Sequence, residues 1–525
     1  MRETRILRRR FLSEMSAGAL LATLGSSAAL NLGLVSNGWA ETTDKPLQFG
    51  DIEPLVQELQ ETPVDRLQPV LVQKLKSGTS LKTLVSAAAL ANARTFGGED
   101  YIGFHTFMAL APAFRMAKLM PQGSEALPVL KVAYRNTNRI QSVGGRQHER
   151  LHSAPTPSTD PVSDGRLYES IRHRDSSAAE RLLAAQVAEN PIHGLDALLP
   201  SVQDTPEVHR TVLPFRAWEM VDIVGTEHAL TLLRQSLNYC LMQYRTDQDQ
   251  QVTRQAALVA KLFDEFKLEE LVLGTKPLPD TEFHQLADAI AQAPADEAAR
   301  AVAATLADGF DPAAIGEALS LAANLLVLRD GGRLPQFEDR LKPPGCVHGD
   351  SVGVHASDAA NAWRNLARVS TGKNRLTCLL IGSWQIANDR TNALGLMANP
   401  LPAPHHVKEL TETDPSRLLN QLDEAIRANL QGHATAITYQ YGQLGHDPDP
   451  IFRKLVQYAV SEDGALHAEK YFQTVWDDFH STRTSVRWRH LMGLARVTAS
   501  EYGTPAAGQA EAQELVGSGL QTLIG

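Results

Sequence analysis

Residues Gly103 to Phe114 read GFHTFMALAPAF. After His105 this stretch carries no charged residue, and it is too long and too rich in alanine and leucine for a typical strand. It therefore predicts a buried helix with a histidine near its start. Similar openings, each a histidine followed by a helical apolar pattern, recur at His228, His355 and His467. A histidine at the start of a buried helix is the main chemical feature of this sequence.

The composition predicts an all-α fold. The chain has 525 residues, of which 43% are hydrophobic and 6% aromatic, and alternating β-branched runs are scarce. We predict an irregular array of helical hairpins, organised as two lobes packed as one body, residues 46–275 and 276–525. Within the first lobe, Pro63 and Pro69 are expected to break the helical pattern.

The first 40 residues predict an export signal. Arg8–Leu12 reads RRRFL, a weakly apolar stretch follows, and Gly38–Ala40 supplies small residues for cleavage. This pattern is typical of a twin-arginine signal, which delivers folded proteins to the periplasm or cell envelope through the twin-arginine machinery. A membrane anchor is the alternative, but the stretch is weakly apolar and we expect no stable membrane span. The net charge of -10, without a basic stripe, argues against nucleic acid as a partner.

The histidines are predicted to point inward. Ala359 and Trp363 lie four and eight residues after His355, and Tyr471 lies four residues after His467, so each histidine shares a helix face with apolar side chains. Buried imidazoles that converge from different helices can ligate iron, zinc or haem. The alternative is that each ring satisfies a nearby backbone carbonyl in the core.

Three groups of candidate site residues follow from this pattern. The candidate metal ligands or acid–base groups are His105, His228, His355 and His467; the candidate carboxylates behind them are Glu469 and Glu227; and the candidate cofactor-binding residues are Arg234, Trp363 and Arg364. The arginines would clamp an anionic ligand, with paired structural charges as the alternative. His209 is assigned to a solvated helix start, with a place in the same cavity as His228 as the alternative.

One peptidase motif is present. Residues His148 to His152 read HERLH and fit H-E-x-x-H, in which two histidines bind zinc and Glu149 acts as general base. The flanks are charged and contain Gly144 and Pro155, unlike a buried active-site helix. A zinc metallopeptidase is therefore a remote alternative.

Two short motifs resemble the questin oxidase-like family. His105–Leu110 is similar to the family's H-x-x-x-A-L helix, and Pro191–Gly194 is similar to its later Pro-x-His-Gly step; the His355 segment also resembles a family helix. The resemblance implies a helical protein and a Baeyer–Villiger-type oxidation of an aromatic ketone. The chain also resembles exported bacterial helical proteins of unassigned function, which share the pattern of Ser461–Lys470.

Our leading functional hypothesis is a metal- or cofactor-dependent oxidoreductase that acts on a small organic substrate. It follows from four inward histidines and from an export route that carries folded, cofactor-loaded proteins. The alternative is a non-enzymatic helical binding or scaffold protein of the cell envelope. The sequence contains no phosphate-binding loop, dinucleotide fingerprint, G-x-S-x-G motif or haem-attaching C-x-x-C-H.

Overall fold

The structure is a computed structural model, and it describes residues 46–158, 165–243, 249–338, 343–347, 351–392, 399–517, 520 and 522–525. Helices account for most of these residues, and extended pairing among them is limited to isolated bridges such as the one between Pro46 and His152. The all-α prediction is confirmed. The predicted twin-arginine signal, residues 1–40, lies outside the described residues.

The helices are, in chain order, α1 Glu53–Glu61, α2 Val64–Lys76, α3 Leu81–Phe96, α4 Tyr101–Met116, α5 Leu127–Ser142, α6 Arg166–Arg172, α7 Ser176–Glu189, α8 Pro191–Gln203, α9 Val208–Val224, α10 Ala229–Gln243, α11 Asp249–Glu265, α12 Asp280–Gln292, α13 Ala295–Ala307, α14 Pro312–Arg329, α15 Val352–Val369, α16 Gly372–Asn392, α17 Pro404–Lys408, α18 Pro415–Arg427, α19 Gln431–Gln443, α20 Asp449–Ser461, α21 His467–Ser481, α22 Arg487–Glu501 and α23 Gln509–Val516. Short 3₁₀ turns join several of them.

The predicted helix break at Pro69 is wrong, whereas the break at Pro63 is confirmed. Pro63 is the residue before α2, and Pro69 lies inside that helix. A proline at position 69 removes the hydrogen bond to the carbonyl of Asp65. Both Asp65 and Pro69 are exposed, so water can satisfy that carbonyl and the helix continues.

Four helices from distant parts of the chain form the centre of the molecule. α4 packs on α21, α21 on α15, α15 on α9, and α9 on α4, so the four make a closed ring of contacts. Their buried faces are rich in alanine and small residues, which lets the helices approach closely. α14 and α16 cover α15 on further sides, and α3 and α5 flank α4.

Helices from both sides of residue 275 contribute to one continuous hydrophobic core, which extends from Phe49 to Leu520. At the end of the chain, α23 packs on α2 and α5. The carbonyls of Leu523 and Ile524 accept hydrogen bonds from the backbone N–H groups of Leu81 and Lys82. The end of the chain is therefore tied to the start of α3, and the two-lobe division at residue 275 stays a prediction.

One described helix, α14, is long and apolar enough to cross a membrane by length and composition. Its mean hydropathy is 1.2, and 72% of that window is buried inside the protein. The burial is accounted for by packing against α12, α15 and α16, which is the pattern of a core helix.

Candidate functional site

Each helix of the central four carries a histidine near its start. His105 is the fifth residue of α4, His209 the second of α9, His355 the fourth of α15 and His467 the first of α21. The sequence fixes three of these starts with a polar cap. These caps are Asp100 on the N–H of Gly103, Glu207 on the N–H groups of His209 and Arg210, and Ser351 on the N–H of Val354.

The four imidazoles meet as a closed ring of contacts. Ring centroids are 4.7 Å apart for His105 and His209, 5.6 Å for His209 and His355, 5.2 Å for His355 and His467, and 5.1 Å for His467 and His105. Two of these contacts bring nitrogens together. Nε2 of His105 lies 3.1 Å from Nε2 of His209, and Nε2 of His355 lies 3.2 Å from Nε2 of His467. We call these four residues the histidine centre.

The hydrogen bonds of the outer nitrogens fix the tautomers of one pair. Nδ1 of His105 lies 2.6 Å from the carbonyl oxygen of Tyr101, which can only accept, so Nδ1 carries the proton. Nδ1 of His209 lies 2.5 Å from Oε1 of Glu207, and an ionised carboxylate also only accepts. In the neutral form of each ring, Nε2 is therefore the unprotonated nitrogen, and the two Nε2 atoms face each other across 3.1 Å. Two lone pairs at that separation need a proton or a metal ion between them.

Glu207 holds His209 in place through several bonds at once. Burial alone would raise the pKa of Glu207, but the His209 ring and the N–H groups of His209 and Arg210 lower the pKa to about 2. Its Oε2 also accepts a hydrogen bond from the hydroxyl of Tyr239 at 3.0 Å. A carboxylate that fixes the orientation of an imidazole in this way is the usual support of a metal-binding histidine.

Burial also keeps the deepest ring neutral. His105 is 3% exposed. Its pKa lies well below the ordinary value, first because of desolvation and then because of the nearby Lys470 and His209. A ring that stays unprotonated at neutral pH keeps its Nε2 lone pair available.

The histidine centre can be reached from solvent. His209 and His355 are partly exposed, and Tyr101 is 40% exposed. The Tyr101 ring lies with its centroid 4.4 Å from that of His105 and 5.7 Å from that of His209. The face of an aromatic ring beside the imidazoles, on an exposed residue, offers a contact surface for a small organic molecule.

In the described part of the chain, no group of three or more histidine, cysteine, aspartate or glutamate residues is arranged to hold a metal ion. The four rings stand as two facing pairs. What the arrangement provides directly is four converging imidazoles, a fixed tautomer in one pair, and a carboxylate behind one ring.

Three of the four predicted histidines belong to the centre, and His228 does not lie with them. The His228 ring packs edge-on against Phe49, with centroids 5.7 Å apart, and it is partly exposed. Glu227 beside it is exposed. Glu469 is fully buried but pairs with Lys131 at 2.6 Å. Its carboxylate is therefore engaged in an ion pair with α5.

The predicted cofactor-binding residues have protein partners. Arg234 donates to Glu180 at 2.8 Å and to the carbonyl of His152 at 2.7 Å. The indole N–H of Trp363 donates to Gln385 at 2.7 Å, deep in the core. Arg364 donates to the carbonyl of Ser481 at 2.6 Å and lies 3.4 Å from the Asp478 carboxylate. These contacts agree with the alternative that the arginines are paired structural charges.

The peptidase motif is not helical. A 3₁₀ turn ends at His148, and the chain then continues extended to His152, which forms an isolated bridge with Pro46. Glu149, the proposed general base, lies 3.1 Å from Nε of the buried Arg94. The two histidines are therefore not presented one turn apart on a helix, as the zinc-peptidase motif requires.

Sequence reasoning assigned His209 to a solvated helix start, and the structure places it in the histidine centre. Its charged neighbours caused the error. Glu207 is the helix cap, and Arg210 is buried, with Nε donating to the carbonyl of Ser201 at 2.7 Å. A usable signal was present, because His209 opens a helix in the same way as the other three histidines.

No family model, no curated protein and no solved structure matches this chain. The questin oxidase-like resemblance therefore stays a prediction.

Proposed function

We propose that His105, His209, His355 and His467 bind one transition-metal ion, iron or zinc, and that the protein is an exported metal-dependent oxidoreductase acting on a small organic substrate. The observation that carries the proposal is the pair of Nε2 atoms of His105 and His209, which face each other at 3.1 Å while a backbone carbonyl and a carboxylate occupy the two Nδ1 atoms. All-imidazole ligand sets suit iron, copper, nickel and zinc.

The nitrogen separations fit a shared metal. Two nitrogens 3.1 Å apart, each at a metal–nitrogen distance of about 2.05 Å, subtend an angle of about 98° at the ion. The 3.2 Å pair of His355 and His467 gives about 103° by the same geometry. Tetrahedral and octahedral sites both accommodate such angles. Binding of one ion by all four rings requires the two pairs to turn their Nε2 atoms toward a common point.

The surroundings support a catalytic metal site over a structural one. The Tyr101 ring gives one side of the centre access to solvent, whereas structural metal sites are usually closed. The twin-arginine pattern at the N-terminus is typical of proteins exported with a cofactor already in place. When iron is bound it would supply one-electron chemistry, and the residues of this chain would hold the ion and place the substrate against Tyr101.

The test uses chain purified from the cytoplasm without chelator. Elemental analysis is expected to find one transition-metal ion per chain, and an electron paramagnetic resonance signal of bound iron should change reversibly with dithionite and oxygen. Zinc as the only metal would refute the redox assignment and keep the metal site. A folded protein with less than about a tenth of an equivalent of any transition metal would refute both.

The second candidate is an acid–base centre without metal. It is favoured by the two facing pairs, whose nitrogens are 3.1 and 3.2 Å apart, a separation that suits one shared proton per pair. This candidate predicts folded, metal-free protein whose activity survives chelators. The chelator experiment therefore separates the two candidates.

A further inference from the structure

The first turn of α21 carries a second buried functional group beside His467. Lys470 lies three residues further on, so it projects from nearly the same face of the helix, whereas Glu469 projects toward Lys131 on α5. Lys470 is 2% exposed. The charge of Lys470 lowers the pKa of His105 on α4. The charges of Asp358 on α15 and Glu207 on α9 act to raise the pKa of Lys470. Charged or titratable groups on α4, α9 and α15 are thus near enough to interact electrostatically with Lys470.

Among the described residues, no hydrogen bond or ion pair is made by the ammonium group of Lys470. The carboxylates around it have other donors. Asp358 accepts from the hydroxyl of Thr474 at 2.9 Å, and Glu207 accepts from His209 and Tyr239. A buried ammonium without a partner is unfavourable. Burial correspondingly lowers the pKa of Lys470 to about 8, and the Arg216 charge adds to this effect.

The helix directions add to the positive potential at this point. The four helices α4, α9, α15 and α21 place their histidines in the first turn or at the start of the second, and those histidines touch. Their N-terminal ends therefore converge on the histidine centre. The N-terminal end of a helix carries a partial positive charge and favours anions.

We propose that Lys470 binds the anionic oxygen of a small carboxylate substrate next to the histidine centre. This proposal names the substrate class for the site described above, but it rests on Lys470 and the helix starts and does not require a bound metal. The carboxylate would accept from the ammonium group, and the rest of the molecule would extend past the histidines toward Tyr101.

The test measures binding of sodium formate to metal-free, chelator-treated protein by saturation-transfer nuclear magnetic resonance, with acetate as competitor and formamide as the neutral control. Formate is expected to bind in competition with acetate, and formamide is expected not to bind. Lys470→Met should weaken formate binding about ten- to a hundred-fold, as expected for loss of one charge-assisted hydrogen bond. The matched control is Lys454→Met, because Lys454 is partly buried but is already paired with Asp423 at 3.1 Å.

Thermal stability provides the second readout. Because the ammonium group of Lys470 has no partner among the described residues, Lys470→Met should keep or raise the Tm, since it removes an uncompensated buried charge. Equal formate binding by Lys470→Met and wild type, or a Tm lowered by Lys470→Met, would overturn the proposal. Absence of metal in the purified protein would refute the metal centre and leave this result intact.

Discussion

The buried ion pair between Lys131 and Glu469 allows a quantitative prediction. Both side chains are fully buried, and Lys131 Nζ also donates to the carbonyls of Ala459 and Glu462, each at 2.7 Å. Lys131→Met leaves the Glu469 carboxylate buried without its partner, which costs about 3–5 kcal/mol. Glu469→Gln keeps both carbonyl contacts of the lysine, so we expect a smaller loss of about 1–3 kcal/mol.

Urea denaturation measures the free energies of unfolding, and calorimetry gives the accompanying Tm values. For a chain of this size the entropy of unfolding is about 1 kcal/mol/K, so Lys131→Met should lower the Tm by about 3–5 °C. Glu469→Gln should also retain the metal content of wild type. A larger loss in Glu469→Gln than in Lys131→Met, or loss of metal from Glu469→Gln, would show that Glu469 belongs to the functional site after all.

Two further predictions concern close packing and ligand orientation. Gly98→Ala should lower the free energy of unfolding, measured by urea denaturation, by several kcal/mol more than Gly78→Ala. Both glycines have positive φ, but only at Gly98 would a Cβ lie 2.1 Å from the carbonyl oxygen of Gln235. Equal losses in the two variants would contradict this packing. Glu207→Gln should lower metal affinity about ten- to a hundred-fold in chelator competition, because it weakens the support of His209, and unchanged affinity would count against a role for Glu207.

Sequence periodicity was sufficient to predict an all-α fold and the inward direction of three histidines. The same periodicity argues against Glu469 as a site residue, and the prediction of Glu469 overlooked this. Residues 467, 470, 471 and 474 share one face of α21, and residue 469 lies about 200° around the helix from residue 467. Residues that share the helix face of His467 are expected to point the same way as its ring. Lys470 is one of these residues, and Glu469 is not.

The partners of each histidine could not be predicted from local sequence. His228 and His209 both open helices, but only His209 reaches the centre. Whether a histidine reaches the centre depends on which helix starts meet. That is set by the packing of α9 against α4 and α15, both of which are distant from α9 along the chain. Likewise, the charged pattern around His209 suggested a solvated start, because the sequence does not show that Arg210 is buried on the carbonyl of Ser201.

The most direct test of the histidine centre is the metal content per chain of wild type, His209→Ala and His228→Ala, purified in parallel and checked for folding by circular dichroism. His209 was not among the predicted ligands and lies in the centre, whereas His228 was predicted and lies against Phe49. We predict one transition-metal ion per chain in wild type and in His228→Ala, and a large loss in His209→Ala. Equal metal content in the two variants, or no metal in any of the three, would contradict the account.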